Sequence, residues 1–358
     1  SRITNKTTFN PNSLYIEWEK EKKQSAKNSS ASNWVSKGPI NTPIILSNGK
    51  KRGNGRVNCI AFDPVDPEKI WIGSPAGGLW SSNNGGNGWT TNTDDLPVIG
   101  VSHIAIDPNN AQIMYIVTGD ANATDTYSIG ILKSLDGGSS WNTTGLSYTV
   151  DQEKTVNKVI INPNFTDSLY AVTNSNILIS PDAGNTWQIV GPLGRWRDIE
   201  FKPDNPRTIY AAAQSSGGSK IFRSTDGGAN WNTIDSGMSG FRYRPLIAVT
   251  KANPNAIYAL FSAADYGFDS FYKSLDSGDT WTLQSNSPNI LGRATDGTGV
   301  GGQAWYDLSL GVSNTDENFV YVGGISLWKS SNGGVNWEID GNSGNDQQLY
   351  SYMHVDQH

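Results

Sequence analysis

The chain has 358 residues, 17% of them charged, and a net charge of −6. Acidic and basic residues are dispersed along it, which argues against a nucleic-acid partner because such a surface needs a basic stripe. The single cysteine, Cys59, excludes an internal disulfide and a cysteine-based metal site. No apolar run approaches the length of a membrane span, so we expect no direct membrane insertion.

The chain begins with an extension that shows no repeat. Residues 1–33 contain a short mixed stretch followed by a serine-rich one, and we predict an N-terminal extension or linker here. Residues 34–40, near Trp34, resemble an outer strand that lacks the turn motif found before such strands later in the chain. We predict that this strand closes a ring formed by the rest of residues 34–358, because pairing the two chain ends removes exposed edges.

Six copies of one motif, Ser-x-Asp-x-Gly-x-x-Trp, follow at intervals of 44 to 56 residues between their tryptophans. Four copies have Asp at the third position and two have Asn. The third residue and the tryptophan of the six copies are Asn84 and Trp89, Asp136 and Trp141, Asp182 and Trp187, Asp226 and Trp231, Asp276 and Trp281, and Asn332 and Trp337. This period is that of a four-stranded propeller blade.

Each copy lies in the same order of short apolar strands. In the second copy, Ile104–Ile106, Met114–Ile116 and Ile131–Lys133 precede the motif, and a fourth strand begins at its tryptophan. Four alternating strands with turn residues between them predict an all-β fold, a β-propeller of four-stranded blades with six complete blades.

The motif itself has a structural interpretation. The Asp is expected to accept turn hydrogen bonds, the Gly to adopt a positive φ, and the Trp to pack between neighbouring blades. Asn can accept the same bonds, so the two degenerate copies fit. A catalytic or calcium-binding role for the aspartates is the alternative, but six copies spread around a ring cannot converge on one site.

The chain stops within a further repeat. Residues 350–358 have the pattern of a first strand, so we predict the start of a seventh blade and a complete protein of seven or more blades. His354, Asp356 and His358 alternate along this strand and would share one face. They form a candidate zinc site, and the alternative is a polar lining of the central channel. We otherwise predict no metal and no cofactor.

The repeated motif resembles that of the Asp-box (BNR) propellers, which include sialidases, sortilin-type domains and xyloglucanases. The likeness runs from about Trp34 to the end and is strongest for xyloglucanase-like and sortilin-like repeat proteins of Bacteroidetes. Many of those proteins are exported by the type IX secretion system. The resemblance therefore implies a protein that is secreted or displayed on the extracellular side of the outer membrane, with the secretion machinery as a partner.

The same resemblance bears on catalysis. Xyloglucanases of the family place an Asp in a Gly-Thr-Asp-Val-Gly-Gly stretch of the first blade, and the matching stretch here, Gly73–Gly78, has Pro75 at that position. Proline cannot act as acid or base, and the family's second acid comes from a second propeller. Asp120, which follows a strand one blade later, is a substitute candidate. These residues do not decide whether the protein is an enzyme, but they favour the absence of enzymatic activity.

Loops on the face opposite the motif are rich in aromatic, arginine and aspartate residues. Such groups suit sugars, because rings stack on C–H faces and charged groups bond hydroxyls. The candidate ligand-binding residues are Asp125, Tyr127, Arg195, Trp196, Arg197, Arg242, Tyr243, Asp265, Tyr266, Arg293 and Trp305. The alternative is a set of ordinary solvated loops with a few packing aromatics.

Two functions follow from these patterns. The main hypothesis is a secreted or cell-surface module that binds polysaccharide or a surface protein without chemistry. The alternative is a glycoside hydrolase-like enzyme that acts on an extracellular polysaccharide through carboxylates of the loop face. A peptide receptor of the sortilin kind fits less well, because that domain needs a disulfide-rich companion, which one cysteine cannot supply.

Overall fold

Six antiparallel sheets of at least four strands succeed one another along the chain in a computed structural model, which describes residues 20, 56–122, 126–215, 217–240, 242–342 and 351–352. Within each sheet the first four strands pair in chain order. The first strands of successive sheets contact one another, so the sheets are arranged side by side as propeller blades. The predicted all-β propeller with six complete four-stranded blades is thereby confirmed.

The first three blades contain short strands joined by tight turns. Blade 1 comprises β1 (Cys59–Phe62), β2 (Ile70–Ser74), β3 (Gly78–Ser82) and β4 (Thr90–Thr91). Blade 2 comprises β5 (Val101–Ile106), β6 (Met114–Thr118), β7 (Gly130–Ser134) and β8 (Asn142–Ser147). Blade 3 follows a single 3₁₀ turn (Val150–Gln152) and comprises β9 (Val156–Ile161), β10 (Leu169–Thr173), β11 (Ile177–Ser180) and β12 (Gln188–Val190).

The last three blades repeat this order with longer strands in places. Blade 4 comprises β13 (Arg195–Lys202), β14 (Asn205–Gln214), β15 (Lys220–Ser224) and β16 (Asn232–Thr233). Blade 5 comprises β17 (Pro245–Val249), β18 (Ile257–Ser262), β19 (Phe268–Ser274) and β20 (Thr282–Ser285). Blade 6 comprises β21 (Ser309–Val312), β22 (Val320–Gly323), β23 (Leu327–Ser330) and β24 (Glu338–Asn342).

The turn between the third and fourth strands has one hydrogen-bond geometry in all six blades. In blade 5, the buried Ser274 hydroxyl accepts the N–H of Gly278 at 2.8 Å and donates to Asp276 at 2.7 Å. The carboxylate of Asp276 also accepts hydrogen bonds from the backbone N–H and the hydroxyl of Thr280. Gly278 has a φ of +94°, a conformation that only glycine adopts at little cost. In blade 6 the amide oxygen of Asn332 accepts the equivalent backbone bond at 2.9 Å.

Apolar clusters fill the spaces between successive blades. The cluster between blades 3 and 4 includes the fully buried Trp196, and Trp231 of the blade 4 turn motif packs against it. Trp141, Trp187, Trp281 and Trp337 pack in the same way against the four clusters between the other neighbouring blades. Burial of such rings is the largest stabilising contribution that the motif makes.

Antiparallel pairing assigns every loop to one of two faces. The turn motifs, between third and fourth strands, lie on the bottom face together with the turns between first and second strands. The loops between second and third strands, and the segments that enter each first strand, therefore lie together on the top face. The first strands line the axis, so the residues just before them surround the centre of the top face.

The two ends of the blade series meet at this centre. The Arg56 guanidinium, just before β1, lies 4.4 Å from the ring centroid of Tyr306, just before β21. Further down, Ile60 and Phe62 of β1 are more than half exposed on the side of blade 1 that faces away from blade 2. The predicted closing strand, residues 34–40, lies outside the described residues, so its pairing with blade 6 stays a prediction.

Two residues of the predicted seventh blade are described. Ser351–Tyr352 (β25) pair in parallel with β24 and add a fifth strand at the outer edge of blade 6. A first strand of a new blade would instead line the axis, so the described part of the chain does not show a seventh blade. His354, Asp356 and His358 lie outside the described residues.

Replacing the motif serine tests the hydrogen bonds that close a blade. Ser274→Ala leaves the buried N–H of Gly278 without its acceptor, so we expect the free energy of unfolding to fall by about 1–3 kcal/mol. The measurement is urea unfolding followed by tryptophan fluorescence. Ser277→Ala, in the same turn, removes only a solvent-exposed hydrogen bond to Asn255 and should change stability by less than about 0.5 kcal/mol. Equal losses in the two variants would contradict this assignment.

The motif aspartates also predict how stability depends on pH. Hydrogen bonds from the backbone and side chain of Asn230 and from Ser224 lower the pKa of Asp226 from 3.8 to about 2. A carboxyl whose pKa is lower in the folded state stabilises that state above pH 3.8, and the contribution disappears as pH falls toward 2. Asp226→Asn should therefore flatten the loss of melting temperature between pH 4 and pH 2. An unchanged slope would show that Asp226 does not contribute.

Candidate functional site

Arginine and aspartate side chains from several blades converge on the centre of the top face. Arg56 and Tyr306 precede the first strands of blades 1 and 6, Arg197 lies at the start of β13, and Arg244 immediately precedes β17. Asp120 comes from the loop after β6. These positions converge because a propeller places the entry of every first strand around one axis.

Asp120 is the anchor of the blade 2 loop. Gly119, with a φ of +90°, turns the chain at the end of β6 and packs its backbone against Ser128 at a distance that a Cβ would not allow. One oxygen of Asp120 accepts the N–H of Asn122 at 3.0 Å, and the other accepts from the Arg56 guanidinium at 2.5 Å. The side chain of Asp120 is only 1% exposed. Its contacts therefore hold blades 1 and 2 together beneath the surface.

The same loop receives two further arginines. Arg197 donates to the carbonyl of Ala121 at 3.4 Å and to Gln214 at 2.7 Å. Arg244 donates to the side-chain oxygen of Asn122 at 2.5 Å and to the carbonyl of Ala304 at 2.9 Å. Because Ala121 and Asn122 are consecutive, guanidinium groups from blades 4 and 5 are brought alongside each other.

The pKa values of Arg197 and Arg244 are lowered by burial and by the neighbouring positive charges. Burial, together with the charges of Arg244 and Arg195, lowers the pKa of Arg197. Burial and the charge of Arg195 lower the pKa of Arg244 to about 10, although Asp307, Asp198 and Asp120 act in the opposite direction. The neighbouring carboxylates therefore offset the burial and the mutual repulsion of these arginines only in part.

Below the arginines, the first strands of blades 2, 3 and 4 line a cavity of about 440 Å³. Lys158 of β9 donates to Asp198 at 2.7 Å and to Glu200 at 2.6 Å. Burial opposes charging of this ammonium, but the two carboxylates outweigh it and raise the pKa of Lys158, while burial raises the pKa of Glu200. Burial and the Lys158 charge lower the pKa of His103 to about 3, so this imidazole is neutral at physiological pH.

A second polar group lies farther from the axis, on the top edge of blade 5. Arg242 is 6% exposed, stacks 5.0 Å above the ring of Phe261 and lies 3.4 Å from a carboxylate oxygen of Asp235. Asp269, at the start of β19, accepts the hydroxyl of Ser270 at 2.6 Å. Burial raises the pKa of Asp269, with smaller opposing effects of Ser270 and Arg242.

Aromatic rings border the arginines on the side of blades 5 and 6. Tyr243 and Tyr266 meet edge to face with centroids 5.5 Å apart. Trp305 and Tyr306 lie 5.1 Å apart at a tilt of 42°, and Trp305 is 47% exposed. Ala304, which accepts from Arg244, directly precedes Trp305, so the backbone of Trp305 lies close to this arginine.

Several predicted ligand-binding residues have structural environments instead. Trp196 is fully buried against Phe222 and Trp231 and is closed to a ligand in this structure. Tyr127 packs against the apolar cluster between blades 1 and 2. Asp265 accepts backbone N–H groups of Gly267 and Gly301, which fixes the blade 5 loop.

The other predicted residues are exposed, buried in a loop, or outside the described residues. Arg195 and Arg293 are exposed on the top face. Pro75 is buried in the loop between β2 and β3, where its carbonyl oxygen lies within 2.5 Å of the position that a Cβ on Gly100 would take. Asp125 lies outside the described residues, as do the three candidate zinc ligands.

The candidate site also contains residues that the patterns did not identify. Arg56, Asn122, Asp198, Tyr306 and Asp307 all belong to it, yet none lies in a motif. Each stands beside the entry of a first strand, at the start of one, or after a second strand. Position within the repeat is the signal that could have found them.

Among the residues described, no group of three or more His, Cys, Asp and Glu side chains is placed to hold a metal ion. Within the same ranges, no helix is long and apolar enough to cross a membrane.

Comparison with known proteins relates this arrangement to two groups of propellers. Residues 130–266 match the family model described as sortilin, neurotensin receptor 3. A xyloglucanase of Paenibacillus sp. is 25% identical over 311 residues, which are 77% of this chain and 28% of that protein. The chain is thus similar to xyloglucanases while spanning less than a third of the length of this one.

Solved structures share the fold at low identity. The Niastella koreensis GH74 enzyme superposes with a TM-score of 0.60 at 20% identity, covering 80% of this chain and 45% of that one. YCF48 bound to D1 peptide superposes with a TM-score of 0.55 at 20% identity, covering 80% of this chain and 81% of that one. At these identities the likeness establishes the propeller fold alone.

Removing one partner of the buried ion pair between Arg56 and Asp120 should lower the free energy of unfolding measurably. Arg56→Gln leaves the buried Asp120 carboxylate without its guanidinium partner, so we expect a loss of about 3–5 kcal/mol in the free energy of unfolding. The measurement is a double-mutant cycle with Asp120→Asn, in which the second substitution should restore part of this loss. Additive losses would show that the two side chains are not coupled.

Proposed function

We propose that this protein is a glycoside hydrolase-like propeller that engages an extracellular polysaccharide at the centre of its top face. The observation that supports this most directly is the convergence there of guanidinium groups and aromatic rings from blades 4, 5 and 6. Arg197, Arg244, Tyr243 and Trp305 offer hydroxyl-binding and ring-stacking groups within one area.

The similarity to xyloglucanases supports the choice of ligand class. Their names specify a plant polysaccharide, and the chain matches them along most of its own length. A sugar polymer would lie across several blades, and the top-face groups are spread over several blades. We further propose that the protein acts outside the cell and that the type IX system exports it to the outer-membrane surface.

Hydrolysis of a glycosidic bond requires two carboxyl groups: one protonates the leaving oxygen, and the other activates the attacking water or attacks the sugar itself. The first of these must be protonated near the scissile oxygen. We propose Asp269 for this role, because burial raises the pKa of its carboxyl and its side chain is only partly buried at the top of blade 5. Asp120 suits the role less well, since its carboxylate is buried and engaged with Arg56.

Binding without turnover is the second candidate function. It is favoured by Pro75, which occupies the position of a family acid, and by the use of Asp120 in a buried ion pair. In this case the same surface holds a polysaccharide, and no reducing ends are released.

Release of reducing ends from xyloglucan and other plant polysaccharides distinguishes the two functions. We expect Asp269→Asn to lower kcat by about 100-fold or more with little change in KM, because general acid catalysis contributes that much. Activity should also fall as pH rises through the raised pKa of Asp269, since the acid must be protonated. Asp279→Asn, an exposed carboxylate on the bottom face, is the matched control.

The remaining outcomes are equally informative. Saturable binding of a polysaccharide with no reducing ends would replace hydrolysis by binding alone. Equal kcat for Asp269→Asn and the wild type would remove Asp269 from catalysis. The absence of both binding and release with every polymer would overturn the proposed function.

A further inference from the structure

Two arginines at the centre of the top face, Arg197 and Arg244, donate to neutral acceptors. Arg197 donates to a side-chain amide oxygen and a backbone carbonyl, and Arg244 to the same two kinds of group. Among the described ion pairs, none joins Arg195, Arg197 or Arg244 to a carboxylate. Arg56, by contrast, is paired with Asp120.

A buried guanidinium that has no carboxylate in direct contact is costly. Arg244 is 5% exposed, and its buried Nε has no hydrogen-bond partner. Removing such a group from water costs several kcal/mol unless an opposite charge compensates. Repulsion adds to this cost, since burial and the charge of Arg195 lower the pKa of Arg244, and burial and the charge of Arg244 lower the pKa of Arg197. A bound anion would relieve both penalties.

We propose that Arg197 and Arg244, with the exposed Arg195 at the rim, bind a carboxylate of the ligand, and that the polysaccharide is therefore an acidic one containing uronic acid residues. This inference rests on the proposed function and specifies its substrate class. Guanidinium groups match the planar, bidentate geometry of a carboxylate. The partly exposed ring of Trp305 beside Ala304 supplies a stacking face for the sugar that carries this carboxylate.

The arrangement favours a sugar acid over the carboxylate of a peptide. Tyr243 and Trp305, both partly exposed, directly neighbour Arg244 and its acceptor Ala304 in the chain, and a pyranose ring can stack on an aromatic face while its carboxylate reaches a guanidinium group. Peptide recognition in extended form would instead use backbone hydrogen bonds along an unpaired strand edge. Each first strand is paired on one side only, so the preference for a sugar acid rests on the partly exposed ring of Trp305 and not on the pairing of the strands.

The test compares two polymers that share one backbone and differ at the carboxyl group, which is charged in one and a neutral methyl ester in the other. Polygalacturonate and its fully methyl-esterified form share one backbone, and isothermal titration with the full chain measures binding of each. We expect polygalacturonate to bind at least tenfold more tightly, and this preference to shrink as NaCl is raised from about 50 to 500 mM. Neutral xyloglucan serves as the reference polymer.

Substitutions assign the preference to the arginines. Arg197→Gln should weaken polygalacturonate binding by about tenfold or more and leave the methyl ester and xyloglucan unchanged. Arg197→Lys, which keeps the charge but loses the planar fork, should fall between the two. Arg223→Gln removes the same charge from the bottom face, where Arg223 pairs with Asp279 at 2.8 Å, and should leave binding unchanged. Arg195→Gln, at an exposed position, provides a second variant that does not depend on tolerance of a buried substitution.

Each outcome decides the inference. Arginine-dependent preference for polygalacturonate supports it. Equal binding of the charged, esterified and neutral polymers, unaffected by Arg197→Gln, overturns it and leaves the proposed function standing. Failure of every polymer to bind overturns both. Arginine-dependent binding of an acidic peptide with no polymer binding would overturn the assignment to a polysaccharide.

Discussion

A serine hydroxyl in each turn motif closes each blade of this propeller. By accepting a buried glycine N–H and donating to the neighbouring Asp or Asn, it fixes a tight turn between the third and fourth strands. The turn delivers a tryptophan to the edge of an apolar cluster, as Trp231 shows between blades 3 and 4. Packing of these clusters aligns the blades, and their alignment brings the entries of the first strands around one axis.

This alignment places the stabilising turn motifs on the bottom face and the candidate functional residues on the top face. Hydrogen bonds of the motif occupy the bottom, where the aspartates are exposed but used within their own turns. The top receives loops with no common geometry, so its side chains are free to differ between blades. A ring of similar units can thus place dissimilar groups, such as Arg197, Arg244 and Trp305, within one area.

Positive side chains have different partners at the centre of the top face and in the channel beneath it. Lys158 in the channel lies between Asp198 and Glu200, so its ammonium is compensated by two carboxylates. The arginines above have carbonyl and amide acceptors instead. Arg197 and Arg244 thus have no carboxylate in direct contact, whereas Lys158 has two, and this difference is the one expected of a site that receives an anionic group from solvent.

The sequence by itself determined the all-β class, the six blades and the turn motif, because local hydrogen bonds and the alternation of apolar residues repeat with every copy. It also directed attention to the top-face loops. Only the tertiary structure showed that Trp196 is a core residue, that Asp120 is engaged with Arg56, and that consecutive residues of one loop receive Arg197 and Arg244. These partners are separated by tens of residues along the chain and by several blades around the ring, so no local pattern encodes them. Their proximity is set by the closure of the blades around an axis, which is a property of the whole fold.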